Sequence, residues 1–577
     1  LHPVQVAFMN NGAVQCGFCT PGFIVSTYAL LLKNNAPTRQ EVRDWFHKHK
    51  NVCRCTGYKQ IVDAVMDAAK VVRGEATIED IQVKLPEDKE YYGKPLIRPT
   101  ALAKVCGLAD YGDDQELKMP SGTYHVAMVQ PKLAHHAKIL KIDTEEASKM
   151  PGVAKIILAD DLKAAGGTNM MAEANFHERS TVRIPSRKVI AEDKIFRYGD
   201  VVALAVADTK EHARAAAAKV KVEIEKLPEY LSFLEAAMPD AMRIHEDTPN
   251  IYCKQPVLKG AALEEPSKVA SIIDGAAHSV EGSFYSSREP HLSIEGDAVQ
   301  AYFDEDEFLT FQCKSQGVYS SISRIGNSLG YPTSKMRVVM NPTGASFGWS
   351  TNAGDLCLAG AAAVVMQAPI ALSMSYEEHQ HFSGKRCPCH SNGRLACDEK
   401  GKLIASEFDF GLDHGAYSWG GDDCFTKQAR FAFFPYTMPH VAGLCRVANT
   451  NHNFGTAYRS YGSPQAYTLG EALMDMLAEK AGIDAFEFRW INIARPGETN
   501  INSYPFRQYP MEEMMKMMKP YYDKAVAEAK ANDTPEKRRG VGLAWGGFNV
   551  TEGGTDKASA AIELNPDGTF TKYDTYQ

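Results

Sequence analysis

Apolar residues recur at helical spacing from the start of the chain. In TPGFIVSTYALLL, Phe23, Ile24, Tyr28, Leu31 and Leu32 fall about one turn apart behind Pro21, which predicts a helix beginning just after Cys19. PTRQEVRDWFHKH offers Thr38 as N-cap with Glu41 three residues on, a capping box heading another amphipathic helix. In YKQIVDAVMDAAKVV, Ile61, Val65, Ala68, Ala69 and Val72 share one face and predict a further helix. Residues 1–74 therefore read as a small helical bundle. Residues 75–100 are charged, broken by prolines and without period, which marks a surface linker.

Beyond the linker the period changes. Tyr198 to Pro228 runs from an apolar strand through an alanine-rich helix to the alternation Val220, Val222, Ile224, a strand–helix–strand pattern that predicts a compact α/β domain over 101–227. In 228–577 the apolar strand MRVVM leads into the glycine-bearing loop NPTGASFGWS, and GTAYRSYGSPQA leads into a helix expected from about Ala466 to Ala481. The closing TKYDTYQ alternates like a strand. The fold class expected is α+β and multidomain.

Composition narrows the class. A chain of 577 residues, 44% hydrophobic and 23% charged, has material for several cores, about two to four domains. The net charge of -8 arises from mixed signs without long like-charge blocks, so no phosphate-neutralising surface and no nucleic-acid partner is expected. There is no run of about 18 apolar residues and no charged-then-apolar leader, so a soluble, cytoplasmic protein without a membrane span is expected. Thirteen cysteines are too dilute for a disulfide framework, but four of them fall in the first 55 residues. The chain starts at Leu1 and ends without a terminating feature, and both ends read as truncated.

The four early cysteines carry the chemistry. Cys16-x-x-Cys19 and Cys53-x-Cys55 are separated by 33 residues, with Gly17 and Gly57 letting backbone approach the sulfurs. Both pairs fall at expected helix starts, where free N–H groups and the helix dipole favour a thiolate-bound, negatively charged centre. Structural zinc is the rival, but Cys53-x-Cys55 is shorter than the usual zinc spacing, and Cys₄ ligation also suits a [2Fe–2S] cluster.

LHPVQVAFMNNGAVQCGFCTPGF through CRCTGYKQIVDAV resembles the helical [2Fe–2S] domain of the molybdenum hydroxylases, the xanthine oxidase family, in its flavin-free bacterial aldehyde oxidoreductase type. The resemblance implies that Cys16, Cys19, Cys53 and Cys55 ligate one cluster and that a second cluster belongs to a further domain upstream. The short linker implies no FAD domain. Residues 101–227 look like the family's small hammerhead-like α/β domain, and 228–577 like the first part of its large molybdopterin-binding domain. NPTGASFGWS and GTAYRSYGSPQA resemble the family's two pterin-binding loops, which implies that Gly344, Ser346, Phe347 and Gly348 lie against the metal end of the cofactor. Ala457, Tyr458 and Arg459 would supply the second loop, Tyr461 would face the substrate channel, and Arg459 and Phe347 would support catalysis. EPHLSIEGDA and LDHGAYS match two more family segments. Three positions depart from the pattern: Ala345 and Ser460 stand where glycine is usual, and Ser350 where lysine is. The family's catalytic glutamate is expected beyond Gln577.

What the resemblance implies is oxidative hydroxylation of an aldehyde to a carboxylic acid on a molybdenum or tungsten pterin, in its cytosine dinucleotide form. Electrons leave through [2Fe–2S] clusters to an external acceptor such as a ferredoxin, a flavodoxin or partner redox subunits, in a homodimer or larger complex. The alternatives are hydroxylation of a purine or other nitrogen heterocycle, an iron–sulfur electron-transfer subunit without its own pterin site, and a zinc-stabilised scaffold.

Other features read as ordinary structure. Cys387, Cys389, His390 and Cys397 could hold a soft metal, but their spacing fits no standard site and the preceding segment reads as a surface turn. Met511, Met514, Met515, Met517 and Met518 read as helical core packing, and His135 and His136 as structural. Asn549 to Thr551 matches a glycosylation acceptor of no consequence in the cytoplasm.

Overall fold

The computed structural model describes residues 1–87, 90–171, 187–417, 421–547 and 560–574, so the Asn549 to Thr551 tripeptide lies outside the described residues. Four helices open the chain: α1 (Pro3–Asn10), α2 (Thr20–Lys33), α3 (Arg39–Lys48) and α4 (Lys59–Val72). The capping box of α3 is formed as its sequence predicts, with Thr38 Oγ1 accepting from Glu41 N at 3.2 Å and Thr38 N donating to the Glu41 carboxylate at 2.7 Å. Ile61, Val65, Ala68 and Ala69 of α4 pack with Phe8, Phe23, Val42 and Phe46 into one core. α1, which the periodicity did not mark, is capped by His2 and lies against α4.

The segment 101–227 is built into a larger sheet rather than closed on itself. Strands 124–129, 153–157 and 203–207 share a seven-stranded sheet with strands 298–303, 309–313, 336–340 and 370–373. The join is a parallel pairing of Tyr124–Val126 with Ile370–Leu372. The expected strand–helix–strand unit therefore splits between sheets: 203–207 enters the seven-stranded sheet, whereas 221–226 pairs with 137–143 in a separate three-stranded one. Apart from Asp355 in its first turn, helix Gly354–Met366 is apolar all round, so it has no face to offer water and lies buried beside strands 298–303 and 309–313.

A five-stranded sheet made of 278–286, 389–397, 403–413, 440–448 and 251–259 forms the other large layer. Helix Ser463–Ala481 covers it, starting three residues before the expected position because Pro464 fits a first turn that needs no N–H from it. Of the methionine run in helix Met511–Ala531, Met511 and Met515 enter the core, whereas Met514, Met517 and Met518 are exposed, because only one side of that helix is covered, in part by helix Ala485–Asn492. The terminal alternation pairs as a hairpin, Ala560–Leu564 with Phe570–Asp574. No helix among the described residues is long and apolar enough to cross a membrane.

Candidate functional site

α2 starts at Thr20, directly after Cys19, and α4 starts at Lys59, shortly after Cys55, so both cysteine pairs sit in the turns that feed helix N-termini. Those turns bring the four sulfurs together in a chain of contacts, Cys16 to Cys55 to Cys53 to Cys19. Cys16 and Cys55 are 3.4 Å apart, and Cys19 hydrogen-bonds Cys53. Crowded thiols polarise one another: the hydrogen bond from Cys55 holds Cys16 down at about 7, and bonds from Cys19 and Cys55 pull Cys53 well below the usual thiol range. The donor thiols of Cys19 and Cys55 are pushed up by the same bonds. None of the thirteen cysteines forms a disulfide.

The spacing separates two metal chemistries. A single tetrahedral zinc with bonds near 2.3 Å draws four sulfurs to about 3.8 Å of one another. Among the described residues the one three-ligand group that closes within 4.8 Å lies elsewhere in the chain, so no three of these four sulfurs do. Four sulfurs linked in a chain, Cys16 to Cys55 to Cys53 to Cys19, rather than closing on one point, suit a binuclear cluster.

Segment 101–116 clamps the first pair. Lys104 Nζ donates to Gln15 O at 3.0 Å, and Tyr111 Oη donates to Cys16 O at 2.9 Å. Both contacts depend on Gly17: its φ is +90°, and a Cβ there would lie 2.5 Å from Lys104 Cδ and 2.7 Å from Tyr111 Oη. The Lys104 ammonium also adds positive charge beside the Cys16 thiolate.

The two glycine-bearing loops adjoin each other. Arg459 N donates to Phe347 O at 2.8 Å, the Phe347 and Tyr458 rings meet edge-on at 6.3 Å, and a Cβ on Gly348 would stand 2.4 Å from Ala457 O. Ser346 Oγ and Gly348 N donate to Gln316 Oε1 at 2.7 and 3.1 Å, and Gly344 N donates to the buried Glu295 carboxylate at 2.6 Å. Ala345 and Ser460, the two non-glycine departures, have φ of 81° and 63°. Both therefore occupy left-handed backbone that glycine adopts without strain.

Buried polar atoms line this seam. Asn341 Nδ2, Ser350 Oγ and Thr456 Oγ1 have no partner within the chain. With the close backbone approach at Gly348 they make a donor set that fits a polar, hydrogen-bonding cofactor. Phe347 is half-buried, Arg459 is exposed, and Tyr461 packs half-buried against the core of the five-stranded sheet.

A side chain from the cluster loop reaches the second loop. Arg54, between the ligand-type Cys53 and Cys55, donates from Nη2 to Tyr458 Oη at 3.0 Å and from Nε to His291 O at 3.4 Å. His291 Nε2 donates to Ala457 O at 3.0 Å, and burial presses its imidazole down to about 4, so the ring stays neutral. The Arg386 guanidinium lies 4.1 Å from the centre of the Tyr458 ring and donates to Tyr458 O and Arg459 O, each at 3.2 Å. Arg54, His291, Glu295, Gln316 and Arg386 were not legible in the sequence as site residues. Only the placement of His291 and Glu295 within EPHLSIEGDA hinted at them.

The segment before Cys389 is not the surface turn its sequence suggested. Cys387 and Cys389 are buried, because 385–388 passes under the loop at 454–456 before the strand begins. The grouping of Cys387, Cys389, His390 and Cys397 is split: Cys389 Sγ accepts from Gln428 Nε2 at 3.0 Å, while His390 meets the ring of Tyr285.

An N-terminal thiol quartet set beside two adjoining glycine-bearing loops is the arrangement of an iron–sulfur protein with a pterin-binding part, and family profiles match along the chain. The "[2Fe-2S] binding domain" profile matches 1–66, the "Aldehyde oxidase and xanthine dehydrogenase, a/b hammerhead domain" profile matches 106–228, and the "Molybdopterin cofactor-binding domain" profile matches 244–493. The chain is 42% identical over 577 residues to the aldehyde oxidoreductase of Megalodesulfovibrio gigas, covering 100% of this chain and 62% of that protein. Solved aldehyde oxidoreductases from Desulfovibrio gigas and Desulfovibrio desulfuricans superpose with TM-scores of 0.93 and 0.94, each at 42% identity and over 99% of this chain and 62% of theirs. The chain belongs to the xanthine oxidase family of molybdenum hydroxylases. It spans 62% of the length of that curated relative.

Proposed function

We propose that this chain holds a [2Fe–2S] cluster and one side of a pterin site in an enzyme that oxidises aldehydes to carboxylic acids. The contact of Arg54 with Tyr458 carries the reading, because it ties the cluster loop to the cofactor loop without an intervening layer. Cys16 and Cys55 would hold one iron and Cys19 and Cys53 the other, following the Cys16–Cys55 and Cys19–Cys53 contacts. Molybdopterin, in its cytosine dinucleotide form with molybdenum or tungsten, would supply the two-electron oxidation of the aldehyde carbon.

The chain's residues bind and orient. Gly344, Ser346, Phe347 and Gly348 form one wall of the cofactor site, with Ala457, Tyr458 and Arg459 forming the next, and the seam between Phe347 O and Arg459 N keeps the walls in register. The backbone of Arg459 is pinned on both sides, by Phe347 and by Arg386, which leaves its exposed guanidinium aimed from a fixed base. Phe347 and Tyr458 meet edge to face and set an apolar contact between the two walls.

The cluster, held by Cys16, Cys19, Cys53 and Cys55, would supply one-electron transfer toward an external acceptor, a ferredoxin, a flavodoxin or partner redox subunits, within a homodimer or larger complex and without FAD. Thirteen cysteines without a disulfide suit a cytoplasmic setting. Arg459→Ala is expected to cut aldehyde-dependent dye reduction by roughly 100-fold while iron and molybdenum or tungsten contents stay unchanged. Unchanged turnover at unchanged metal content would contradict its role.

A further inference from the structure

Away from the thiol quartet, three segments converge on one sealed point. Cys387 leads into strand 389–397, His414 follows strand 403–413, and Cys424 lies on helix Gly421–Phe431. All three are at most 3% exposed, and their ligand atoms lie within 4.8 Å of one another. No other described His, Cys, Asp or Glu joins the group at that distance.

The imidazole is already set for ligation. Its Nδ1 donates to Tyr417 O at 2.9 Å, which fixes the tautomer and leaves Nε2 as the nitrogen on the side of the thiols. Gly455 closes the space over that face: a Cβ there would lie 2.2 Å from Cys387 Sγ and 2.9 Å from His414 Nε2. Nothing larger than hydrogen fits, so the site has no open side there for a further ligand. Cys389, the nearest additional thiol in sequence, is engaged by Gln428.

We propose that Cys387, His414 and Cys424 bind one monovalent copper ion in a three-coordinate site of two sulfurs and one nitrogen. Ligand softness and coordination number select the ion. Two thiolates and an imidazole favour copper(I) or zinc, but structural zinc is almost always four-coordinate. Copper(I) accepts three ligands, and this pocket supplies three. The ion would pin the ends of two strands and a helix beneath Gly455, whose N–H donates to His414 O at 2.6 Å, and so brace the chain entering the Thr456 to Arg459 loop. The site stands apart from the iron–sulfur quartet and does not depend on the pterin reading.

The test titrates the iron–sulfur-loaded protein with copper(I) delivered as its bicinchoninate complex. One equivalent is expected to leave the probe with the visible absorbance of the iron–sulfur centre unchanged, and copper X-ray absorption is expected to show two sulfurs and one nitrogen. Cys424→Ser should weaken copper binding by about 100-fold or more, while Cys389→Ser should leave it intact. Should Cys424→Ser fail to fold, the absorption spectrum of the unaltered protein decides alone. Overturning results are no copper uptake, a shell without two sulfurs, uptake of zinc in preference to copper, or a Cys387–Cys424 disulfide in the untreated protein.

Discussion

At the scale of single residues, the two departures from the family's glycine pattern sit at the positions where backbone geometry asks for glycine. Ala345 and Ser460 carry φ of 81° and 63°, and left-handed backbone costs a non-glycine residue about 1–2 kcal/mol. Glycine loses roughly 0.5–1 kcal/mol of that advantage to its greater freedom when unfolded. Ala345→Gly and Ser460→Gly are each expected to stabilise the protein by about 0.5 to 1 kcal/mol, read as a raised thermal midpoint. A lowered midpoint in both would contradict the strain assigned here. A pH dependence follows from His291, which is 1% exposed and held down to about 4 by burial. The unfolded ring titrates near 6.5, so between these values the unfolded chain binds the extra proton. The neutral ring's contribution, roughly 3 kcal/mol, is fully present above pH 6.5 and lost as the pH falls toward 4. In His291→Asn the slope of stability against pH across this window is expected to fall by about one proton, and an unchanged slope in denaturant titrations from pH 7 to 4.5 would rule out a buried neutral ring.

At the scale of elements, the helical bundle was legible because its signals are local. The capping box at Thr38 and Glu41, the apolar face of α4 and the cysteine pairs at helix starts each depend on residues within a few positions of one another. The sheets were not legible, because pairing Tyr124 with Ile370 joins residues with no common local pattern. The buried Cys387 was misread for the same reason: a Gly–Lys–Arg–Cys–Pro run looks like a turn until the loop at 454–456 covers it. Docking of the first cysteine turn on segment 101–116 also crosses the linker, and it yields a sharp expectation. Gly17→Ala introduces a Cβ 2.5 Å from Lys104 Cδ at a φ of +90°, so it should destabilise this junction by about 2 kcal/mol or more. The iron content per chain and the temperature at which the visible absorbance is lost should both drop; iron content and melting equal to the parent's would show that the turn does not need this approach.

At the scale of the whole molecule, the cysteine-bearing bundle meets the second glycine-bearing loop through the polar contacts of Arg54. Arg54 and Tyr458 are 404 residues apart in sequence and 3.0 Å apart in space. Arg54→Ala keeps all four thiols and both loops, so it is expected to leave iron and molybdenum or tungsten contents unchanged while slowing reduction of the cluster by aldehyde. The measurement that bears most directly on this arrangement is electron paramagnetic resonance of the partially reduced protein. Two centres held on adjoining loops should interact, so the molybdenum(V) or tungsten(V) signal is predicted to split when the [2Fe–2S] cluster is reduced, and the splitting to weaken in Arg54→Ala. A pterin-metal signal that stays unsplit with the cluster reduced, or a protein whose thiol quartet holds zinc and gives no iron signal, would contradict the account.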